Sequence, residues 1–108
     1  MVKFMLMFHK PGDLAQFEDT YNKFLAQIEQ IPDITRRQVI SILGSPQGTP
    51  NIYRILEVYF SDYDALTAAL RSPAGQAAGG TLNQFPKGTV DMLFAEVYEE
   101  VGGFTPTE

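Results

Sequence analysis

RRQVISIL (residues 36–43), GSPQGTP (44–50) and NIYRILEVYF (51–60) form the stretch whose reading decides the fold. Two runs rich in β-branched and aromatic side chains flank seven residues drawn from Gly, Ser, Pro, Gln and Thr, a composition that turns a chain and does not continue a strand. Strand two is therefore expected over Arg36 to Leu43 and strand three over Asn51 to Phe60, joined as a hairpin.

Working outward, Val2 to His9 is almost continuously apolar and stops at Pro11 and Gly12, as a strand buried on both faces would. Asp13 offers a helix cap with Gln16 three residues on, and Leu14, Phe17, Tyr21, Phe24, Leu25, Ile28 and Ile31 fall on one helical stripe that Pro32 ends. After the hairpin, Ser61 with Asp64 reads as a capping box opening a helix through Leu66, Ala69 and Leu70, which stops at Ser72 and Pro73. The segment from Pro73 to Phe85, interrupted by Gly75, Gly79 and Gly80, predicts a short helix or two joined by a flexible turn. Strand four is expected from about Thr89 to Tyr98, and residues 102–108 as a loose tail behind a single domain spanning 1–101.

Strand, helix, hairpin, helix, strand is the split βαβ order. Right-handed crossovers then put strands one and three at the centre of a four-stranded antiparallel sheet with the helices on one face: an α+β, ferredoxin-like βαββαβ fold. Alternation sends Phe4, Leu6, Phe8, Leu56, Val58 and Phe60 to the helix-covered face, each worth roughly 1.5–3 kcal/mol in transfer terms. The open face receives Met5, Met7, His9, Tyr53, Ile55, Glu57 and Tyr59, too much apolar area for a small monomer, and a two-fold copy of the same sheet is the simplest cover. A homodimer is the expected state.

Eight Lys and Arg against thirteen Asp and Glu give a net charge of -5, with no basic stripe to displace counterions, which argues against nucleic acid and anionic membrane as partners. The absence of cysteine removes disulfides, thiol nucleophiles and thiolate metal sites and fits a reducing, cytoplasmic setting. With one histidine and no cysteine, no transition-metal cluster is expected. No phosphate-binding loop, dinucleotide fingerprint, nucleophile elbow or His-Glu-x-x-His motif is present, so no cofactor is expected either.

Strand one with Lys10, Pro11, Gly12 and Asp13, then Phe17 and Tyr21, then Tyr53 to Ser61, and finally Ser72 to Ala78 resemble, in that order and spacing, the EthD-like family of dimeric α+β barrel proteins. The resemblance runs from about Met1 to Glu99. It implies a homodimer whose two sheets close into a barrel around a small-molecule pocket, and a role accessory to a monooxygenase or other degradation pathway. The wider superfamily adds cofactor-free monooxygenases, isomerases, lactone-forming or decarboxylating enzymes and haem proteins. One departure is that family members usually carry a histidine shortly after the tyrosine at the position of Tyr21, and Asn22 to Ile31 contains none.

Candidate chemistry follows from the open face. Glu57, mid-strand between Ile55 and Tyr59, is a base if it lines an apolar cavity, or a seam residue if it bonds Lys3, Arg36 or a tyrosine. His9 suits proton transfer near neutral pH, or is a rim residue at a strand end. Tyr53 and Tyr59 offer hydroxyls to a phenolic or carbonyl ligand, with Met5, Met7 and Ile55 as apolar lining. Strand geometry predicts that Tyr53, Glu57, Tyr59 and His9 converge. Three functions stay open: a small-molecule-handling dimer binding an apolar or aromatic oxygenated compound, a cofactor-independent oxygenase, isomerase or lyase, and a non-catalytic structural or regulatory dimer module.

Overall fold

The computed structural model describes residues 1–103; the end of the expected tail, 104–108, lies outside the described residues. Its elements are β1 (Val2–His9), α1 (Leu14–Ile28), β2 (Arg36–Ser41), β3 (Ile52–Phe60), α2 (Tyr63–Arg71), α3 (Pro73–Leu82) and β4 (Val90–Glu96). The four strands form one antiparallel sheet in the order β2-β3-β1-β4. The hairpin and the central pair are those expected from the alternation of the sequence.

Phe4, Leu6, Phe8, Leu56, Val58 and Phe60 are buried on the helix side. They meet Phe17, Tyr21, Phe24 and Ile28, which recur every three or four residues along α1. Phe8 centres this layer, with its ring edge-on to Phe17 and Tyr21 and 5.2 Å from Phe85. The Asp13 carboxylate accepts from the Gln16 amide at 3.0 Å and caps α1.

Three local expectations are corrected, and the choice left open between one helix and two after Pro73 is decided. Helix α1 ends at Ile28 rather than Ile31, because the Gln30 and Ile31 amides close in short turns onto the Gln27 and Ile28 carbonyls before Asp33 takes a left-handed φ of 65°. The cap of α2 is Asp62, not Ser61: its carboxylate accepts from the Ala65 amide at 2.7 Å. Strand β2 stops at Ser41 and β4 at Glu96, both shorter than expected. The glycine-bearing segment is one helix, α3, because Pro73 sits in its first turn and the Ser72 hydroxyl accepts from the Gly75 amide. Gly75 lies against α2 so closely that an added Cβ would sit 2.3 Å from the Ala69 carbonyl oxygen. Glycine is required there by space, whereas Gly79 and Gly80 have nothing within 4 Å of such a methyl.

One irregularity changes a face. Phe8 pairs with Arg54 but His9 pairs with Ile52, so Tyr53 is the extra residue of a β-bulge. Its ring turns to the helix side and meets Phe17 edge-on at 5.5 Å. Tyr53 therefore does not join the open face that simple alternation assigns it.

Candidate functional site

Two polar groupings emerge where one was expected. On the open face, Glu57 accepts from the Lys3 ammonium at 2.7 Å and from the Tyr59 hydroxyl at 3.0 Å. Both acidic and phenolic side chains are buried within the single chain, at 5% and 4% exposure. The Arg36 guanidinium, 3.9 Å from the Tyr59 ring centre, covers the tyrosine, and Lys3 approaches the same ring at 5.7 Å. The hydrogen bond that Lys3 donates to Glu57 holds the lysine pKa above its ordinary value against the opposing pull of burial. Each oxygen of this carboxylate thus accepts a hydrogen bond, one of them from a cation, and neither hollow described below reaches it. Met5, Met7 and Ile55 lie half-buried around it on the same face.

His9 is elsewhere. Glu57 pairs with Met5, four residues back along β1, which puts His9 roughly 13 Å away at strand rise. The four residues expected to converge therefore divide: Glu57 with Tyr59, His9 apart, and Tyr53 on the other side. The cause is the reach of the sheet together with the bulge. His9 Nε2 lies 2.8 Å from Asp91 Oδ2 and Nδ1 lies 3.1 Å from the Asn51 amide nitrogen. With Asn51 donating, Nδ1 accepts and Nε2 carries the proton toward Asp91. His9 thus ties the ends of β1, β4 and the loop before β3.

Beside it opens a cleft of about 290 Å³. Its apolar walls are Pro11, Phe17, Phe85 and Pro86, and its polar groups include His9, Gln16, Thr20 and Gln84. Its volume sits at the lower limit for small-molecule sites, about 300 Å³. A second hollow, about 400 Å³, lies further along the groove between α1, α3 and β4 and is walled by Phe4, Phe24, Ile28, Ala78, Leu82 and Met92 among others. Its lining is nearly all apolar.

Sequence reading missed Asp91, Asn51, Phe85 and the cleft itself. The signal for Asp91 was present: in an antiparallel pair with Met7 opposite Asp91, the start of β4 lies diagonally beside the end of β1. It also missed Arg54, which sits on the helix side 2.9 Å from Glu18, a charge contact without hydrogen-bond alignment. That guanidinium is framed by the rings of Tyr21, Tyr53 and Phe17 at 4.5, 5.2 and 5.5 Å. Among the described residues the Tyr21 hydroxyl has no hydrogen-bond partner, and burial pushes its pKa up. Among the described residues no group of three or more His, Asp or Glu could hold a metal ion, and no helix is long and apolar enough to cross a membrane.

This sheet order with helices on one face defines a ferredoxin-like α+β protein of the kind found in dimers. A dimeric ferredoxin-like protein of unknown function from Jannaschia sp. superposes with a TM-score of 0.69 at 20% identity, over 89% of this chain and 98% of that one. SnoaB, a cofactor-independent oxygenase from Streptomyces nogalater, does so with a TM-score of 0.67 at 18% identity, over 94% and 97%. No family model matches the sequence. An uncharacterised 11.0 kDa protein from the thcB-thcC intergenic region of Rhodococcus erythropolis is 30% identical over 100 residues, 89% of this chain and 94% of the relative. The structure of an ethyl tert-butyl ether D (EthD) family protein from Bacillus halodurans matches with a TM-score of 0.85 at 28% identity, over 91% and 99%. The chain belongs to one family with the Rhodococcus protein and resembles the EthD family protein over nearly its whole length.

Proposed function

We propose that this chain works as a homodimer that holds a compact apolar or aromatic compound bearing an oxygen function, and that the compound occupies the cleft beside His9. One observation carries the reading: the only histidine of the chain stands on the wall of a cleft whose other walls are aromatic rings and prolines. Phe17, Phe85, Pro11 and Pro86 supply apolar area for a ring, while His9, Gln16, Thr20 and Gln84 supply donors and acceptors for its oxygen. The dimer is supported by the half-buried Met5, Met7 and Ile55 on the open face and by neighbours described as dimeric. In a degradation pathway such a protein acts as accessory to the enzymes that oxidise the compound.

A second reading, a cofactor-independent enzyme, is favoured by the His9–Asp91 contact. Asp91 fixes the tautomer in which Nδ1 is the acceptor, and a ligand hydroxyl or acidic C–H that displaces Asn51 would pass its proton to that nitrogen. Titration of isotope-labelled protein with 1-naphthol, followed by NMR, tests the first reading. Shifts should centre on His9, Phe17 and Phe85, and His9→Asn should weaken them. Shifts scattered over the surface, or none at millimolar naphthol, would refute it.

A further inference from the structure

We infer that Phe85 is the residue that sets ligand length, by closing the His9 cleft off from the apolar hollow behind it; this rests on the small-molecule reading above. The two hollows lie in line along one groove. The cleft uses the cap Asp13 and the first half of α1 as far as Thr20, and the apolar hollow the second half, Phe24 and Ile28, continuing to Ile31 beyond it. On the opposite wall the same order holds, with Gly75 to Leu82 facing the hollow and Gln84 to Pro86 facing the cleft. Between them stand aromatic rings. Phe85 is buried and packs against Phe8 at 5.2 Å and Phe17 at 5.7 Å, and Phe8 in turn meets Phe24 at 6.5 Å.

A third hollow on the outer side of the α3–β4 loop shares Leu82 and Met92 with the apolar hollow and Phe85 and Pro86 with the cleft. Phe85 and Pro86 therefore wall both the cleft and this outer hollow, Leu82 and Met92 wall the outer hollow and the apolar one, and the loop that carries Phe85 stands between the three spaces. Phe8 and Phe24 belong to the sheet and to α1, and both are wholly buried. Phe85 alone of the dividing rings is carried on a loop, one that Gly88 closes at a φ of +78°. The consequence is a preference for compact one- or two-ring compounds with a hydrogen-bonding oxygen, and exclusion of ones whose hydrocarbon body runs on toward Phe24 and Met92.

The test compares 1-naphthol with the longer 4-hydroxybiphenyl on the wild-type chain, Phe85→Ala, and the milder Phe85→Leu. Each is titrated by NMR after circular dichroism confirms the fold. Wild type should prefer naphthol. Because even one methylene in an apolar pocket is worth about tenfold or more, the opened site should gain about tenfold for hydroxybiphenyl relative to naphthol in Phe85→Ala, and less in Phe85→Leu. New shifts should then reach Ile28, Ala78 and Met92. If naphthol binds the cleft of the wild type and the ratio stays within twofold in folded Phe85→Ala, or in Phe85→Leu should Phe85→Ala fail to fold, Phe85 does not set length while the small-molecule reading stands. If the wild type binds naphthol nowhere, both fall.

Discussion

Replacing Glu57 by glutamine should destabilise the fold rather than remove a base. In the native chain the carboxylate accepts from Lys3 at 2.7 Å and from the Tyr59 hydroxyl at 3.0 Å, with side-chain exposures of 19% for Lys3 and 6% for Glu57. Glutamine keeps an acceptor for Tyr59 but turns an amide donor, or a neutral oxygen, toward an ammonium that has lost its counter-charge. Breaking a buried pair costs about 3–5 kcal/mol, and a hydrogen bond to a charged group is worth about 1.5–3. Lys3 retains a path to water along its stem, so Glu57→Gln should cost about 2 kcal/mol. Lys3→Met, which strands the buried carboxylate, should cost more, about 3 kcal/mol. The double variant should cost less than the sum by about 1–3 kcal/mol.

Urea unfolding followed by circular dichroism, at one fixed protein concentration because a dimer's stability depends on it, measures all three. The sign with pH follows from Lys3. Its pKa is raised in the folded chain, so the stabilisation is complete below the ordinary lysine value of 10.5 and is lost as pH rises through the raised one. The gap between wild type and Lys3→Met should therefore narrow in strong alkali. A Glu57→Gln chain within about 0.5 kcal/mol of wild type, the range of an inert surface change, would refute the structural reading.

Ile55→Asp should place a charge in the middle of the open face and weaken the dimer by about 2 kcal/mol or more, while Gln47→Asp in the exposed hairpin loop should do little; sedimentation at micromolar concentration reads both, and an intact Ile55→Asp dimer would move the interface elsewhere. Phe17→Ala should cost about 3–5 kcal/mol, since its ring meets Phe8, Tyr21, Tyr53 and Phe85. Thermal unfolding checks it, at about 4–8 °C per kcal/mol for a chain of this size, and a shift near zero would overturn the packing.

The hairpin, the stripe of α1 and the helix-facing residues of β1 and β3 were legible because period and turn chemistry are local properties. Tyr53 was not, because nothing in its side chain marks the extra backbone residue that reverses its face. Asp62 displaced Ser61 as a cap because two adjacent residues have the same capping chemistry and only backbone direction chooses between them. Glu57 was placed on the right face, and Lys3 was named as a partner. That the bond forms within one chain depends on the diagonal of the β1–β3 register, with Lys3 opposite Tyr59 and Met5 opposite Glu57. The cleft and the apolar hollow were invisible, since their volumes depend on how far α1 stands from α3, which no residue pattern encodes.

Gly75 gives that separation its mechanical origin. The bare backbone of one residue lets α3 fold back against the last turn of α2, and the rest of α3 then becomes a wall of the apolar hollow through Ala78, Gly79 and Leu82. Any side chain at 75 must lever the two helices apart, so a methyl group there would act on the hollow from behind, by tilting its wall. Gly79 stands on the same helix with free space beside it. For anyone reshaping this protein to hold a different compound, position 75 is the fulcrum to leave alone and position 79 is the panel to cut.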